Sequence, residues 1–143
     1  MKQNWKKLSA LLLAVIIVIS AVGCTPGNDQ TSGGDTITVK NGETIGEGAK
    51  TITVDVVDGD GNTVTFTVKT DEETVGGALQ ALQVLSGEPG DYGLYVKTVN
   101  GITADYDTDG TYWAFYIDGE YAMTGVDMTD ITEGSSYTLK VEK

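Results

Sequence analysis

The side chains able to do chemistry in this chain are mostly carboxylates, tyrosines and tryptophan. There is no His and no Arg. That removes Ser-His-Asp and Cys-His catalysis, His acid–base work and His-ligated zinc, and with them the bidentate guanidinium clamp for phosphates or carboxylates. No Gly-rich stretch stands between a strand and a helix in phosphate-loop spacing. A carboxylate pair could still cleave a glycoside, but among 21 Asp and Glu any one pair is unspecific, and the chain is not expected to be an enzyme. Two acidic stretches have the spacing of a cation loop. Asp105-Tyr106-Asp107-Thr108-Asp109-Gly110 is a D-x-D-x-D-G sequence, which can bring alternate oxygens onto one ion and turn sharply at the Gly. Its twelfth position is Tyr116 instead of a bidentate Glu, and a strand pattern follows it, so it is no EF-hand. Two readings stay open: a looser calcium site at Asp105, Asp107 and Asp109, or a solvated acidic turn. Asp58, Asp60 and Asn62 repeat the alternation, but Thr63 replaces the Gly and Lys69 the Glu, and a hairpin turn accounts for them.

The densest aromatic run is Thr111 to Gly119, TYWAFYIDG. As a strand of period 2 it puts Trp113, Phe115 and Ile117 on one face and Tyr112, Ala114 and Tyr116 on the other. A buried Trp removes roughly 200 Å² from water, about 5 kcal/mol as an upper bound. At least one face must therefore be core, and the other is free to be an interface.

The elements that position these residues follow a leader. Lys2, Lys6 and Lys7 precede an apolar run from Leu8 to Val22, the pattern of a secretory signal peptide over residues 1–23. Ala21-Val22-Gly23-Cys24 resembles a bacterial lipobox, in which Cys24 is lipidated and becomes the N-terminus; the alternative is a cleaved signal that leaves a stray thiol. Cys24 is the only Cys, so no internal disulfide can form and the fold must stand on its core. Residues 24–35 are small and polar, a flexible tether. Residues 36–49, opening with the alternating Thr36 to Lys40, read as an edge strand or part of the stalk.

Lys50 to Thr70 reads as a hairpin around Asp58 to Asn62, with Val56 opposite Val64, Val54 opposite Phe66 and Ile52 opposite Val68, which keeps the apolar side chains on one face. Thr70 to Leu85 changes to helical period. Thr70 and Glu73 make a capping box, Val75, Ala78, Leu79, Leu82 and Leu85 an apolar stripe, and Gly76 and Gly77 suit close approach to a sheet. Ser86 to Gly90 ends the helix. Strands are predicted at Leu94 to Val99, along the aromatic run and at Tyr137 to Val141, with a turn at Asp118 to Glu120 and a short segment at Tyr121 to Met123. The fold class is α+β, a β-grasp-like mixed sheet with one helix packed on one face.

Three of the nine Lys lie in the leader and all the acids lie after Cys24, leaving six Lys against 21 acids. Nucleic-acid binding, which rests on cationic contacts to phosphate, is not expected. An anionic bilayer would also repel the chain, so attachment must come from the acyl anchor, on the outer face of the bacterial cytoplasmic membrane.

Tyr92-Gly93-Leu94-Tyr95-Val96, Val99-Asn100-Gly101-Ile102, Tyr112-Trp113, Gly125-Val126-Asp127, Glu133-Gly134 and Tyr137 to Val141 occur in an order and spacing that resemble the DUF4430 domain. That domain is similar to the C-terminal β-domain of transcobalamin and intrinsic factor. The resemblance covers residues 50–143. It implies a β-grasp fold and a corrinoid ligand such as cobalamin, bound on the side of the loop after the helix and the aromatic strand. It carries the ligand-binding role onto Tyr95, Trp113 and Phe115, and less directly onto Leu94. In the vitamin carriers the ligand lies between this domain and a larger helical one, so the implied partners are a separate helical domain or an uptake transporter. With no His, cobalt can take no imidazole from this chain; no cofactor is required, and a corrinoid ligand and calcium are the candidates to bind. The resulting expectation is a solute-binding lipoprotein. Its rivals are a tethered module that docks on protein or glycan and a calcium-stabilised structural domain.

Overall fold

The computed structural model describes residues 36–143. The leader, Cys24 and the tether lie outside these residues. Among the described residues no helix is long and apolar enough to cross a membrane.

The strands are β1 (Thr44–Gly46), β2 (Lys50–Val57), β3 (Thr63–Thr70), β4 (Leu85–Gly90), β5 (Gly93–Val99), β6 (Ile102–Thr103), β7 (Tyr112–Ile117), β8 (Glu120–Tyr121) and β9 (Ser136–Glu142). Two short helices, α1 (Val75–Ala81) and α2 (Tyr106–Asp109), and a 3-10 turn at Val126–Met128 complete the fold. β-Strands predominate, and the architecture is mixed α+β. Two sheets form where one was predicted: six strands in the order β1-β3-β2-β9-β7-β8, and three in the order β4-β5-β6.

The hairpin has the derived register, with Ile52 paired to Val68, Val54 to Phe66 and Val56 to Val64. β9 then enters between β2 and β7, parallel to the first and antiparallel to the second. Pairing partners share a face, so the inward residues of β2 and β3 are continued by Tyr137 and Leu139 of β9 and by Trp113 and Phe115 of β7, all in one buried cluster. Phe115 and Tyr137 stack with ring centroids 6.1 Å apart. The Trp113 face of the aromatic strand is therefore the core face. On the opposite face the Tyr116 hydroxyl donates to Glu142 Oε1 at 2.6 Å and the Tyr112 hydroxyl to Oε2 at 3.3 Å, with Lys140 Nζ 3.4 Å from Oε1.

Helix α1 is shorter than predicted and starts later. Its N-cap is Thr74, whose hydroxyl accepts from Gly77 N at 3.1 Å, and not Thr70. Thr70 ends β3, and Asp71 to Glu73 are a non-helical connection held by other segments: Asp71 Oδ1 accepts from Ala49 N, and Glu73 O accepts from Ile131 N, each at 2.8 Å. Val75, Ala78 and Leu79 are buried as the stripe requires, but Leu85 belongs to β4. Gly76 lies against the 3-10 turn instead of a sheet, where a Cβ would sit 2.7 Å from Asp127 N. Thr36 to Lys40 forms no strand. Val39 is buried there, and the Asn100 side chain takes the place of a strand neighbour, accepting from Val39 N and donating to Val39 O at 3.1 Å. The edge strand of this region is β1 instead, parallel to β3.

Candidate functional site

Ser86 to Gly90, predicted as a helix-ending loop, is the edge strand β4, whose Pro89 needs no ladder donor on its open side. Between Ser86 and Gly87 the β4–β5 register slips, so that Ser86 faces Thr98 while Gly87 faces Val96. Lys97 is the extra residue of this bulge. The bulge resets the alternation, which lets both Val96 and Val99 pack inward. It also aims the Lys97 carbonyl, which accepts from Ala104 N at 2.9 Å and from Trp113 Nε1 at 3.0 Å. The indole is thus fixed between the two sheets by a bond to the irregular point of β5.

Beside that bond lies a cavity of about 140 Å³ lined by residues of β5 (Leu94, Tyr95, Val96), β7 (Trp113, Phe115) and the turn (Gly125, Val126). All four positions that the sequence singled out for ligand contact, Leu94, Tyr95, Trp113 and Phe115, meet there. Trp113 and Phe115 are 9% and 8% exposed, so they are core residues that reach the wall, whereas Tyr95 is 38% exposed at the edge. Val96, Tyr112, Gly125, Val126 and Leu139 also line the cavity without having been singled out for ligand contact. Val96 and Leu139 are apolar at inward strand positions and Val126 is apolar in the 3-10 turn, which is a core signal, and nothing local distinguishes a wall from a core.

Tyr95 is held from several sides. Lys97 Nζ stands 5.8 Å from its ring centroid, and its hydroxyl accepts from Tyr106 N at 3.4 Å. Lys97 in turn pairs with Glu88 at 3.3 Å and Asp105 at 3.5 Å. The Glu88 carboxylate, aided by Asp105, raises the ammonium pKa above its ordinary value.

Asp105, Asp107 and Asp109, the candidate calcium ligands, lie in one short helical stretch. The stretch forms α2, in which the Asp105 carboxylate accepts from Asp107 N at 3.1 Å as N-cap and Gly110 closes the C-terminus at φ 71°. Asp109 turns the other way, accepting from the Thr111 amide at 2.9 Å and from the Thr111 hydroxyl, which together lower its pKa. D-x-D-x-D-G thus serves here as cap, turn and left-handed stop. Among the described residues no three His, Cys, Asp or Glu side chains are grouped to hold a metal. Asp58 makes the expected turn, accepting from the Asp60 and Asn62 amides at 2.9 Å.

Among solved structures, a Ruminococcus gnavus protein described as a candidate metal binding protein is similar at 34% identity and TM-score 0.63, over 66% of this chain and 98% of that one. Haptocorrin in complex with Cbi is similar at 17% identity and TM-score 0.52, over 66% of this chain but 25% of its own length, a likeness of fold. No curated protein gives a significant match. A family profile, Domain of unknown function (DUF4430), matches residues 72–143, which hold α1, the three-stranded sheet, the aromatic strand and β9. That match spans half of the chain and all the residues of the cavity wall, and the protein accordingly belongs to the DUF4430 family.

Proposed function

We propose that this protein is a membrane-anchored extracytoplasmic ligand-binding lipoprotein, tethered through Cys24, that engages a corrinoid and hands it to an uptake transporter. The observation that carries the reading is the convergence of Leu94, Tyr95, Trp113 and Phe115 on one apolar cavity. The likeness of fold to haptocorrin, solved with Cbi, supports the ligand class, and a mixed sheet with one helix against its core supports a β-grasp-like description.

Size decides how such a ligand would sit. Cavities that enclose drug-sized ligands hold roughly 300–1,000 Å³, and this one holds about 140 Å³. A corrinoid therefore lies across the mouth, with one peripheral group inserted between Leu94 and Trp113 and its apolar face against Tyr95. Recognition is by shape, apolar contact and hydrogen bonding, because the chain has no His to offer cobalt.

One observation favours a second reading, a module that docks on protein or glycan. Tyr92, whose backbone carbonyl lies near Gly125 of the cavity wall, and Met123, two residues before Gly125 in sequence, are 95% and 93% exposed, and exposed aromatic and Met side chains of this kind are typical interface anchors.

Isothermal titration of the chain lacking residues 1–23 with hydroxocobalamin and cyanocobalamin, in calcium and in chelator, separates these readings. Saturable heat near one equivalent of corrinoid is expected. Heat with neither corrinoid sinks the first reading, and heat with calcium alone points to a metal function like that suggested for the Ruminococcus gnavus protein.

A further inference from the structure

Val126 lines the cavity, and Asp127 follows it. Asp127 Oδ2 accepts from Leu94 N at 3.0 Å, across 33 residues of chain. This bond stands where a strand would. β6 pairs with β5 only at Thr98 and Val99, so the edge of β5 beside Leu94 has no neighbouring strand there, and the carboxylate takes the amide instead. The other oxygen, Oδ1, is buried without a hydrogen-bond partner.

The space around Asp127 is closed by three glycines from three elements. A Cβ at Gly93 would lie 2.8 Å from Oδ1, one at Gly125 3.0 Å from Oδ1, and one at Gly76 of α1 2.7 Å from the Asp127 amide. Gly93 also has φ +103°, where other residues are strained. A carboxylate oxygen kept from solvent without a donor is costly, and it persists here because its twin makes a charge-assisted bond that is stronger than an ordinary one.

We propose that Asp127 is the positioning residue of the cavity. It ties the strand carrying Leu94 and Tyr95 to the turn carrying Gly125 and Val126, and so fixes the separation of two walls without touching what binds between them. The consequence for binding rests on the ligand reading above; the consequence for the walls does not.

The test uses the full chain with Trp5→Phe, which leaves Trp113 of the cavity wall as the sole Trp. Acrylamide quenching of Trp113 reports the wall without ligand, and titration with cyanocobalamin reports binding. Asp127→Ala is expected to raise the quenching constant by about twofold or more through local opening, and to weaken cyanocobalamin binding by about tenfold for the loss of one charge-assisted bond. Asp127→Asn keeps an oxygen for Leu94 N–H but loses the charge, and is expected to fall between the parent and Asp127→Ala in both measurements. Gly93→Ala leaves the carboxylate but drives a methyl onto Oδ1; it should reproduce Asp127→Ala, and it decides the matter if that variant does not fold. Quenching unchanged in Asp127→Ala, or in Gly93→Ala where it must stand in, overturns the proposal, as does an Asn variant that behaves like the Ala variant. If the parent binds neither cyanocobalamin nor hydroxocobalamin, the ligand reading fails and the quenching comparison alone decides the role of Asp127.

Discussion

Gly76→Ala sets two physical effects of opposite sign against each other. In a free helix the change from Gly to Ala stabilises by about 1 kcal/mol. Here the new methyl carbon would meet Asp127 N at 2.7 Å, Asp127 Cα at 2.8 Å and Val126 C at 2.9 Å. Comfortable separations are about 3.5–4.0 Å, so one partner must retreat by roughly 0.7 Å or more. The partner is backbone, which cannot rotate away as a side chain can. Overpacking of this kind costs about 1–3 kcal/mol, and three contacts to one stretch of backbone put the site at the upper end. The net expectation is a destabilisation of about 1–2 kcal/mol. For a domain near 100 residues that lowers Tm by roughly 5–15 °C. Calorimetry or a circular dichroism melt at fixed pH reads it directly. An unchanged or higher Tm would mean that the turn yields freely, and the argument that α1 is seated on the Val126–Met128 turn would fail.

Three further outcomes are expected. Tyr95→Ala should weaken cyanocobalamin binding by about tenfold with a stability loss below ~2 kcal/mol, whereas Trp113→Ala should cost about 3–5 kcal/mol and confound binding with folding; unchanged affinity in a folded Tyr95→Ala removes Tyr95 from the site. Thr74→Ala should lose about 1 kcal/mol with its cap, while Glu73→Ala stays within about 0.5 kcal/mol, the reverse of what a capping box at Thr70 requires; urea melts of both variants decide. The Tyr116 hydroxyl, then Lys140, hold the Glu142 pKa below its ordinary 4.5, so its contribution is present above pH 4.5 and lost as pH falls through the folded value. The same bond raises the Tyr116 pKa above 10.0, so that contribution is present below pH 10.0 and lost as pH rises through its folded value. Tyr116→Phe should flatten both limbs of a Tm–pH curve, and limbs identical to the parent would refute the linkage.

The sequence was most legible where one physical rule acted alone. Strict alternation over Ile52 to Val56 and Val64 to Val68 admits one register, because a slip of one residue exposes the whole set. The aromatic strand was equally plain, although which face was core depended on β9, whose inward Tyr137 and Leu139 come from far along the chain. Reading failed where one residue type serves two ends. Thr70 and Glu73 have the spacing of a capping box, yet Ala49 and Ile131 claim the segment between them. Gly87, Pro89 and Gly90 have the composition of a loop, yet an edge strand with a bulge tolerates all three. The four site positions were found through resemblance, not through any local signal of a cavity wall.

The place of β9 governs when this fold can exist at all. The strand bonds on one side to β2 and on the other to β7, and Thr138 meets Asp55 across 83 residues. The β2–β3 hairpin is complete in sequence by Thr70, whereas the strand that covers its other edge begins only at Ser136. No fragment ending ahead of Ser136 can join the two halves of the large sheet. Contacts of such long range also slow the search for the native state. A chain cut ahead of Ser136 would therefore leave the β2 and β7 edges of the large sheet without the strand that joins them.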